Sequence, residues 1–117
     1  QCGIIDFQSA FLGFIGWDLL SLLENPRINF TRDYNDKLIQ YFYDNSPIIE
    51  NFNTFREQYY FLSLARQTRL LGRWRKLLSI NNDNQYLDYL KITKSRAIAT
   101  LNNIKHHELR LIYEKYL

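Results

Sequence analysis

Two aspartates near the beginning of the chain have surroundings in which a carboxylate can do chemistry. Asp6 lies near the end of the β-branched stretch Gly3-Ile4-Ile5-Asp6-Phe7. This pattern is typical of a buried strand that runs into a loop. A strand holds such a carboxylate in place while its oxygens face solvent, which suits coordination of Mg²⁺ bridging nucleotide phosphates. Asp18 falls in the first turn of a predicted helix, where a carboxylate accepts backbone N–H bonds and favours the positive end of the helix dipole.

Basic residues form a second candidate site. Arg66, Arg69, Arg73 and Lys76 are spaced to lie along one stripe of a long predicted helix. Such a stripe can line an anionic substrate or a phosphate path, and it can equally be an ordinary solvated face. His106 and His107 are adjacent, so on a helix they point about 100° apart and cannot form the i, i+4 pair of a zinc site.

The elements that position these residues are mostly helical. The pattern predicts a strand over residues 2–7, a packed loop over 8–16 and a helix from Trp17 that ends at Asn25-Pro26. Thr31 is the predicted N-cap of a second helix, which ends at Asp44-Asn45-Ser46-Pro47. The remaining predictions are a long helix over about 53–79 with a kink or break at 66–69, a turn over 81–84, and helices over 86–102 and 106–116.

Composition bounds the class of protein. The 117 residues are 46% hydrophobic and 23% charged, which fits one globular domain and excludes a two-lobed enzyme within this chain. No apolar run approaches the ~20 residues of a membrane span. The only cysteine, Cys2, cannot form an internal disulfide, so we expect a reducing, cytoplasmic location. A net charge of +3 is typical of a solvated surface and does not favour nucleic acid as a partner.

The single strand and the absence of methionine lead to one expectation. A lone buried strand leaves peptide groups without partners, each costing on the order of a hydrogen bond. No second strand is evident in the sequence, and no methionine is present, even at position 1. We therefore expect the chain to be the C-terminal piece of a longer protein whose upstream residues pair with the strand.

The first twenty-odd residues carry a resemblance to a known family. The run Gly3-Ile4-Ile5-Asp6-Phe7-Gln8-Ser9-Ala10, then Gly13 and Trp17-Asp18-Leu19-Leu20-Ser21-Leu22-Leu23, resembles the metal-binding region of the aminoglycoside phosphotransferase-like kinases. The form Asp-Phe-Gln is similar to the bacterial branch of anomeric N-acetylmuramate and N-acetylglucosamine kinases. Further on, Ala65-Arg66-Gln67-Thr68-Arg69-Leu70-Leu71-Gly72 and Gln85-Tyr86-Leu87 follow that branch's helical subdomain in order and spacing.

The resemblance implies a fold and roles for individual residues. It implies a mainly α fold, the helical C-terminal lobe of a protein-kinase-like enzyme, with residues 1–16 as metal-binding strand and loop and 17–117 as a helical bundle. Asp6 would be the catalytic, magnesium-binding aspartate, and Asp18 would hold the backbone of the catalytic loop. Arg66 and Arg69 become the better candidates for substrate contact, because they lie in the family-like stretch. Phe14 and Trp17 depart from the usual Pro and Tyr without altering the metal site.

Several catalytic elements of the family are missing from this sequence, and their absence determines the activity that we expect. The nucleotide loop and lysine of the N-terminal lobe, and the catalytic loop with its general base and metal-binding Asn, have no counterpart here. Phosphoryl transfer depends on positioning and electrostatic stabilisation by several groups together. The expected function is that of a fragment: inactive alone, and part of an ATP- and Mg²⁺-dependent phosphotransferase for a hydroxyl of a small molecule, a sugar or amino sugar.

Two further expectations stay open at this point. The alternative function is a helical interaction module that binds RNA or an acidic partner through the basic stripe from Arg66 to Lys76, with salt-dependent affinity. Separately, an uncovered strand edge and the apolar loop Phe11 to Ile15 favour self-association as a homo-oligomer, with Cys2 strands paired between copies.

Overall fold

A computed structural model describes Gly3 and residues 12–28, 30–81 and 83–117. Within these residues the chain forms five helices and no strand. They are α1 (Trp17–Leu23), α2 (Arg32–Asp44), α3 (Phe52–Asn81), α4 (Asn84–Leu101) and α5 (His107–Tyr116). The mainly helical prediction is confirmed. The strand predicted over 2–7 lies outside the described residues apart from Gly3, which is exposed.

Local signals place the first two helices. Leu20 and Leu23 of α1 are completely buried, and the helix ends just before Pro26, as the sequence predicts. Thr31 caps α2, because its hydroxyl accepts a hydrogen bond from the Tyr34 amide at 3.3 Å. At the other end of α2 the side-chain amide of Asn45 donates to the Tyr41 carbonyl at 2.8 Å. Helix α2 is therefore bounded at both ends by side chains that bond to terminal backbone groups.

Helix α3 is the central element and is 30 residues long. The predicted break at 66–69 is wrong, because the helix continues through this stretch. The reason is that Gln67 is buried there rather than solvated. Its amide nitrogen donates to Ser63 Oγ at 2.9 Å and to Thr100 Oγ1 at 3.2 Å. A polar residue in the interior interrupts the hydrophobic periodicity without interrupting the helix.

Helix α4 runs back antiparallel along α3. The indole of Trp74 donates to Thr93 at 3.1 Å, while Gln67, earlier in α3, bonds to Thr100, later in α4. Ala97 is completely buried between the two helices. Asp83 caps α4 by accepting from the Gln85 amide at 2.9 Å. Helix α4 therefore begins two positions before the predicted start at residue 86.

Two apolar clusters hold the helices together. The larger one joins α1 and α2 to the first half of α3 and consists of Leu20, Leu23, Ile39, Phe55, Tyr59 and Tyr60. The smaller one joins α3 to α4 and consists of Leu64, Ala97 and Leu101. Helix α5 packs less tightly and has no buried residue. None of the helices in the described ranges is long and apolar enough to cross a membrane.

Candidate functional site

The structure describes one of the two predicted aspartates. Asp6 lies outside the described residues, so its metal-binding role stays a prediction. Asp18 is the second residue of α1, and its side chain is exposed. Among the described residues it makes no hydrogen bond, and α1 has no side-chain cap. The support of a catalytic loop by Asp18 therefore also stays a prediction.

The two predicted substrate-binding arginines lie in different surroundings. Arg69 is exposed on α3, whereas Arg66 is partly buried. The Arg66 Nη1 atom is fully buried and has no hydrogen-bond partner among the described residues. Burial, followed by the neighbouring Arg69 charge, lowers the pKa of Arg66. No ion pair or hydrogen bond between described residues joins either arginine to Asp18.

Arg66 lies at the edge of a buried polar cluster that we call the Glu24 network: Glu24, Arg32, Tyr59, Arg66 and Arg96. The Glu24 side chain is completely buried. Its Oε1 accepts from Arg32 Nη1 at 3.2 Å and from the Tyr59 hydroxyl at 3.2 Å. Its Oε2 has no hydrogen-bond partner among the described residues. The network thus ties the end of α1 to the start of α2 and the middle of α3.

Arg96 of α4 completes the network by holding the loop after α1. Its Nη1 donates to the Asn25 carbonyl at 2.7 Å and its Nη2 to the Ile28 carbonyl at 2.6 Å. Loop carbonyls away from water need such donors, since an unpaired buried peptide group is costly. Arg96 therefore fixes the position of α1 relative to α4.

Charges in the network shift the titration of its members. Burial raises the pKa of Tyr59, and the adjacent Glu24 carboxylate raises it further. For Arg32, burial is the largest single effect and acts to lower the pKa, but Glu24, Tyr60 and Asp36 together outweigh it, so the pKa is raised. The pKa of Arg96 is lowered by burial despite the attraction of Glu24. At neutral pH the Tyr59 phenol is therefore neutral and the arginines of the network are cations.

Sequence reasoning missed the Glu24 network, although one signal for it was present. Leu20, Leu23 and Glu24 stand at i, i+3 and i+4, so helical spacing already places Glu24 on the buried face of α1. No local signal identifies its partners, because Tyr59 and Arg96 are far away in sequence.

A wide groove lies beside the residues that lead into α1. The α1–α3 groove, as we call it, has a volume of about 720 Å³ and runs between the residues before α1, the loop before α3, and α3. Phe14, Ile48 and Phe61 give it apolar walls, while Glu50 and Glu57 add carboxylates. Apolar walls with a few polar groups are typical of small-molecule sites. Neither Arg66 nor Arg69 is among its described lining residues.

Among the described residues, no three His, Cys, Asp or Glu side chains are grouped to hold a metal ion. His106 and His107 are both exposed. His106 is the N-cap of α5, where its Nδ1 accepts from the Leu109 amide at 3.4 Å. A role in helix capping accounts for this histidine without a metal.

Comparison with curated proteins shows that the chain is similar to a sugar kinase. The relative is the N-acetylmuramate/N-acetylglucosamine kinase of Neisseria meningitidis serogroup B, with 24% identity over 106 aligned residues. The alignment covers 80% of this chain and 32% of that kinase, so the chain spans about a third of the relative's length. No protein-family model matches the chain, and no solved structure matches it significantly. The similarity supports a kinase-related origin for the chain.

Proposed function

We propose that this chain is the helical C-terminal part of an ATP- and Mg²⁺-dependent phosphotransferase that phosphorylates a hydroxyl of a sugar or amino sugar. The observation that carries the proposal is the alignment with a sugar kinase over 80% of the chain. The ordered motif from Asp6-Phe7-Gln8 to Trp17-Asp18-Leu19 and the mainly helical architecture agree with it. The proposal assigns the nucleotide-binding groups to other residues of a longer parent protein.

In this proposal Asp6 holds the magnesium ion. A carboxylate is a preferred magnesium ligand, and the ion neutralises charge that develops on the transferred phosphoryl group. The described residues contain no alternative ligand cluster. The metal site therefore depends on Asp6 together with ligands from the parent protein. Asp18 would support the catalytic loop from the beginning of α1.

The α1–α3 groove is the proposed location of the acceptor. Gly13, which lines it, follows Asp6 by seven positions in the sequence. A sugar ring has apolar C–H faces that can pack against Phe14 and Phe61, and hydroxyl or amino groups that can donate to Glu50 and Glu57. Neither Arg66 nor Arg69 lines this groove, so a contact between these arginines and the substrate stays a separate prediction.

The proposal is tested by ATP turnover in the full-length protein with Mg²⁺ and a panel of sugars that includes N-acetylmuramate and N-acetylglucosamine. The Asp6→Ala variant is expected to lose about 100-fold or more in kcat while staying folded, because a metal ligand acts on the transition state. The matched control is Asp88→Ala, which removes an exposed carboxylate whose ion pair among the described residues is with Lys91 at 3.8 Å. Near-normal turnover by Asp6→Ala would refute the metal-binding role.

A second measurement separates the chain from its parent. Titration calorimetry on the 117-residue chain is expected to show no ATP binding, because the proposal places the nucleotide loop and lysine elsewhere in the parent. Tight ATP binding by this chain would contradict the assignment of the nucleotide-binding groups to other residues of the parent protein.

A further inference from the structure

A second groove lies between α2 and α4, where Arg32 and Arg96 of the Glu24 network line it. We call it the α2–α4 groove; its volume is about 420 Å³. It is lined by Phe30, Arg32, Asn35, Lys91, Ile92, Ser95, Arg96 and Ala99. Three of these side chains are cationic, and none of the described lining residues is acidic. The volume falls in the range of small-molecule sites.

The cations of the α2–α4 groove are only partly neutralised. Glu24 lies buried behind Arg32 and accepts one of its N–H groups, and Asp88 lies beside Lys91 at 3.8 Å, with both side chains exposed. Arg96 uses two N–H groups on backbone carbonyls. Each guanidinium has N–H groups left without a partner among the described residues. The groove therefore offers donors and an excess of positive charge to an anion.

The first turn of α2 adds to this attraction. Arg32 is the first residue of α2, a helix of 13 residues, and Asn35 belongs to the same first turn. The N-terminus of a helix carries partial positive charge and favours anions within its first turn. The same turn also contains the carboxylate of Asp33, which offsets part of this attraction, so the positive charge of the groove comes from its three cationic side chains.

Asn35 supplies an independent sign that a ligand belongs here. Its side chain lines the groove, yet the residue is only 2% exposed. Its Nδ2 donates to the Leu23 carbonyl at 3.3 Å, which determines the orientation of the amide. Its Oδ1 is buried and has no hydrogen-bond partner among the described residues. Such an acceptor costs free energy unless a donor reaches it.

Cationic donors and a buried acceptor together specify the chemistry of the ligand. An anion that also carries an O–H donor would satisfy both features. We infer that the α2–α4 groove binds a phosphate group bearing a proton or a nearby hydroxyl, from inorganic phosphate or a small phosphomonoester. The apolar residues Phe30, Ile92 and Ala99 leave room for an organic part. This inference does not depend on the proposed kinase function.

Sulfate provides the discriminating probe, because it is a dianion of similar size without a proton at pH ~8. Inorganic phosphate is also a dianion at that pH but keeps one proton, because its second pKa lies below pH ~8 and its third lies far above it. Titration calorimetry of the 117-residue chain at constant ionic strength should show saturable 1:1 binding of phosphate with a Kd below about 20 mM. Phosphate is expected to bind about tenfold more tightly than sulfate, because sulfate has no O–H group to donate to Asn35 Oδ1. Glycerol 3-phosphate carries hydroxyls that can take the place of the P–OH donor. If it binds more tightly than inorganic phosphate, the ligand of the groove is a phosphomonoester; if not, the ligand is phosphate itself.

The matched variants are Lys91→Glu, within the groove, and Lys76→Glu, on α3 outside it. Both lysines are exposed, so both variants are expected to fold. Lys91→Glu should weaken phosphate binding about tenfold or more, whereas Lys76→Glu should change it by less than about twofold. Equal affinities for phosphate and sulfate, equal effects of the two variants, or no saturable binding of phosphate would each overturn the inference.

Discussion

The hydroxyl of Tyr59 should stabilise this fold more than the hydroxyl of its neighbour Tyr60, although the two residues are adjacent and both are buried. Tyr59 donates to the Glu24 carboxylate at 3.2 Å, and Tyr60 donates to Asp36 at 3.0 Å. Replacing each tyrosine by phenylalanine removes one oxygen and leaves the ring packing intact. The two variants therefore compare the same deletion in two electrostatic surroundings.

The magnitude follows from what each deletion leaves behind. Glu24 is completely buried, and its Oε2 already has no partner among the described residues. After Tyr59→Phe, Glu24 keeps only the bond from Arg32 among the described residues, so we expect a loss of about 2–3 kcal/mol, the upper part of the range for hydrogen bonds to charged groups. Asp36 is partly exposed, and water replaces the lost donor. Tyr60→Phe should therefore cost about 0.5–1 kcal/mol.

Urea unfolding followed by tryptophan fluorescence and circular dichroism measures both losses. The midpoint concentration should fall while the slope of the unfolding free energy stays constant, because the surface exposed on unfolding hardly changes. In thermal unfolding the Tyr59→Phe variant should melt about 8–12 °C below the wild type. Equal losses for the two variants, or a larger loss for Tyr60→Phe, would refute the reasoning that the buried Glu24 carboxylate depends on Tyr59.

Two further predictions use pH and glycine substitutions. Because the pKa of Tyr59 is raised above its ordinary value of 10.0, its stabilising effect is complete below that pH. This stabilising effect is lost as the pH rises above 10.0, because the Tyr59 hydroxyl loses its proton in the unfolded chain and keeps it in the folded chain. Wild-type stability should thus fall by about 1 kcal/mol more than that of Tyr59→Phe between pH ~10 and ~11 in urea unfolding; parallel pH profiles would contradict this. Gly16→Ala should destabilise by about 1–3 kcal/mol, because the added Cβ would lie 2.6 Å from Phe14 Cε1 and 3.2 Å from Phe55 Cζ. Its counterpart Gly72→Ala meets nothing within 4 Å in α3 and should stabilise by about 0.5–1 kcal/mol, so the same sign for both would show that neither local account is correct.

The helices were predictable where their signals are local. Thr31 and Pro26 lie next to the helix ends that they define, and side-chain caps and proline act on backbone groups within a few residues. The break predicted in α3 failed for a nonlocal reason. Gln67 looks like a surface residue in sequence, but Thr100 of α4 covers it and accepts its hydrogen bond at 3.2 Å.

The candidate sites divide in the same way. Residue types and spacing alone made Asp6 and Asp18 candidates, and helical periodicity placed Arg66 beside Arg69. Neither groove was visible in the sequence, since each is lined by segments that are distant along the chain. The α2–α4 groove needs Asn35 and Arg96 together, and nothing in the local sequence of either predicts the other.

The sequence by itself determined the approximate ends of the helices and which residues carry the kinase resemblance, because capping, proline geometry and apolar spacing act over a few residues. Only the tertiary structure decided which polar groups share the interior. Glu24 and Tyr59 bond across 35 positions, and Arg96 reaches Asn25 across 71. Such pairs form only when packing has brought the helices together and excluded water, so their partners are set by the arrangement of the helices.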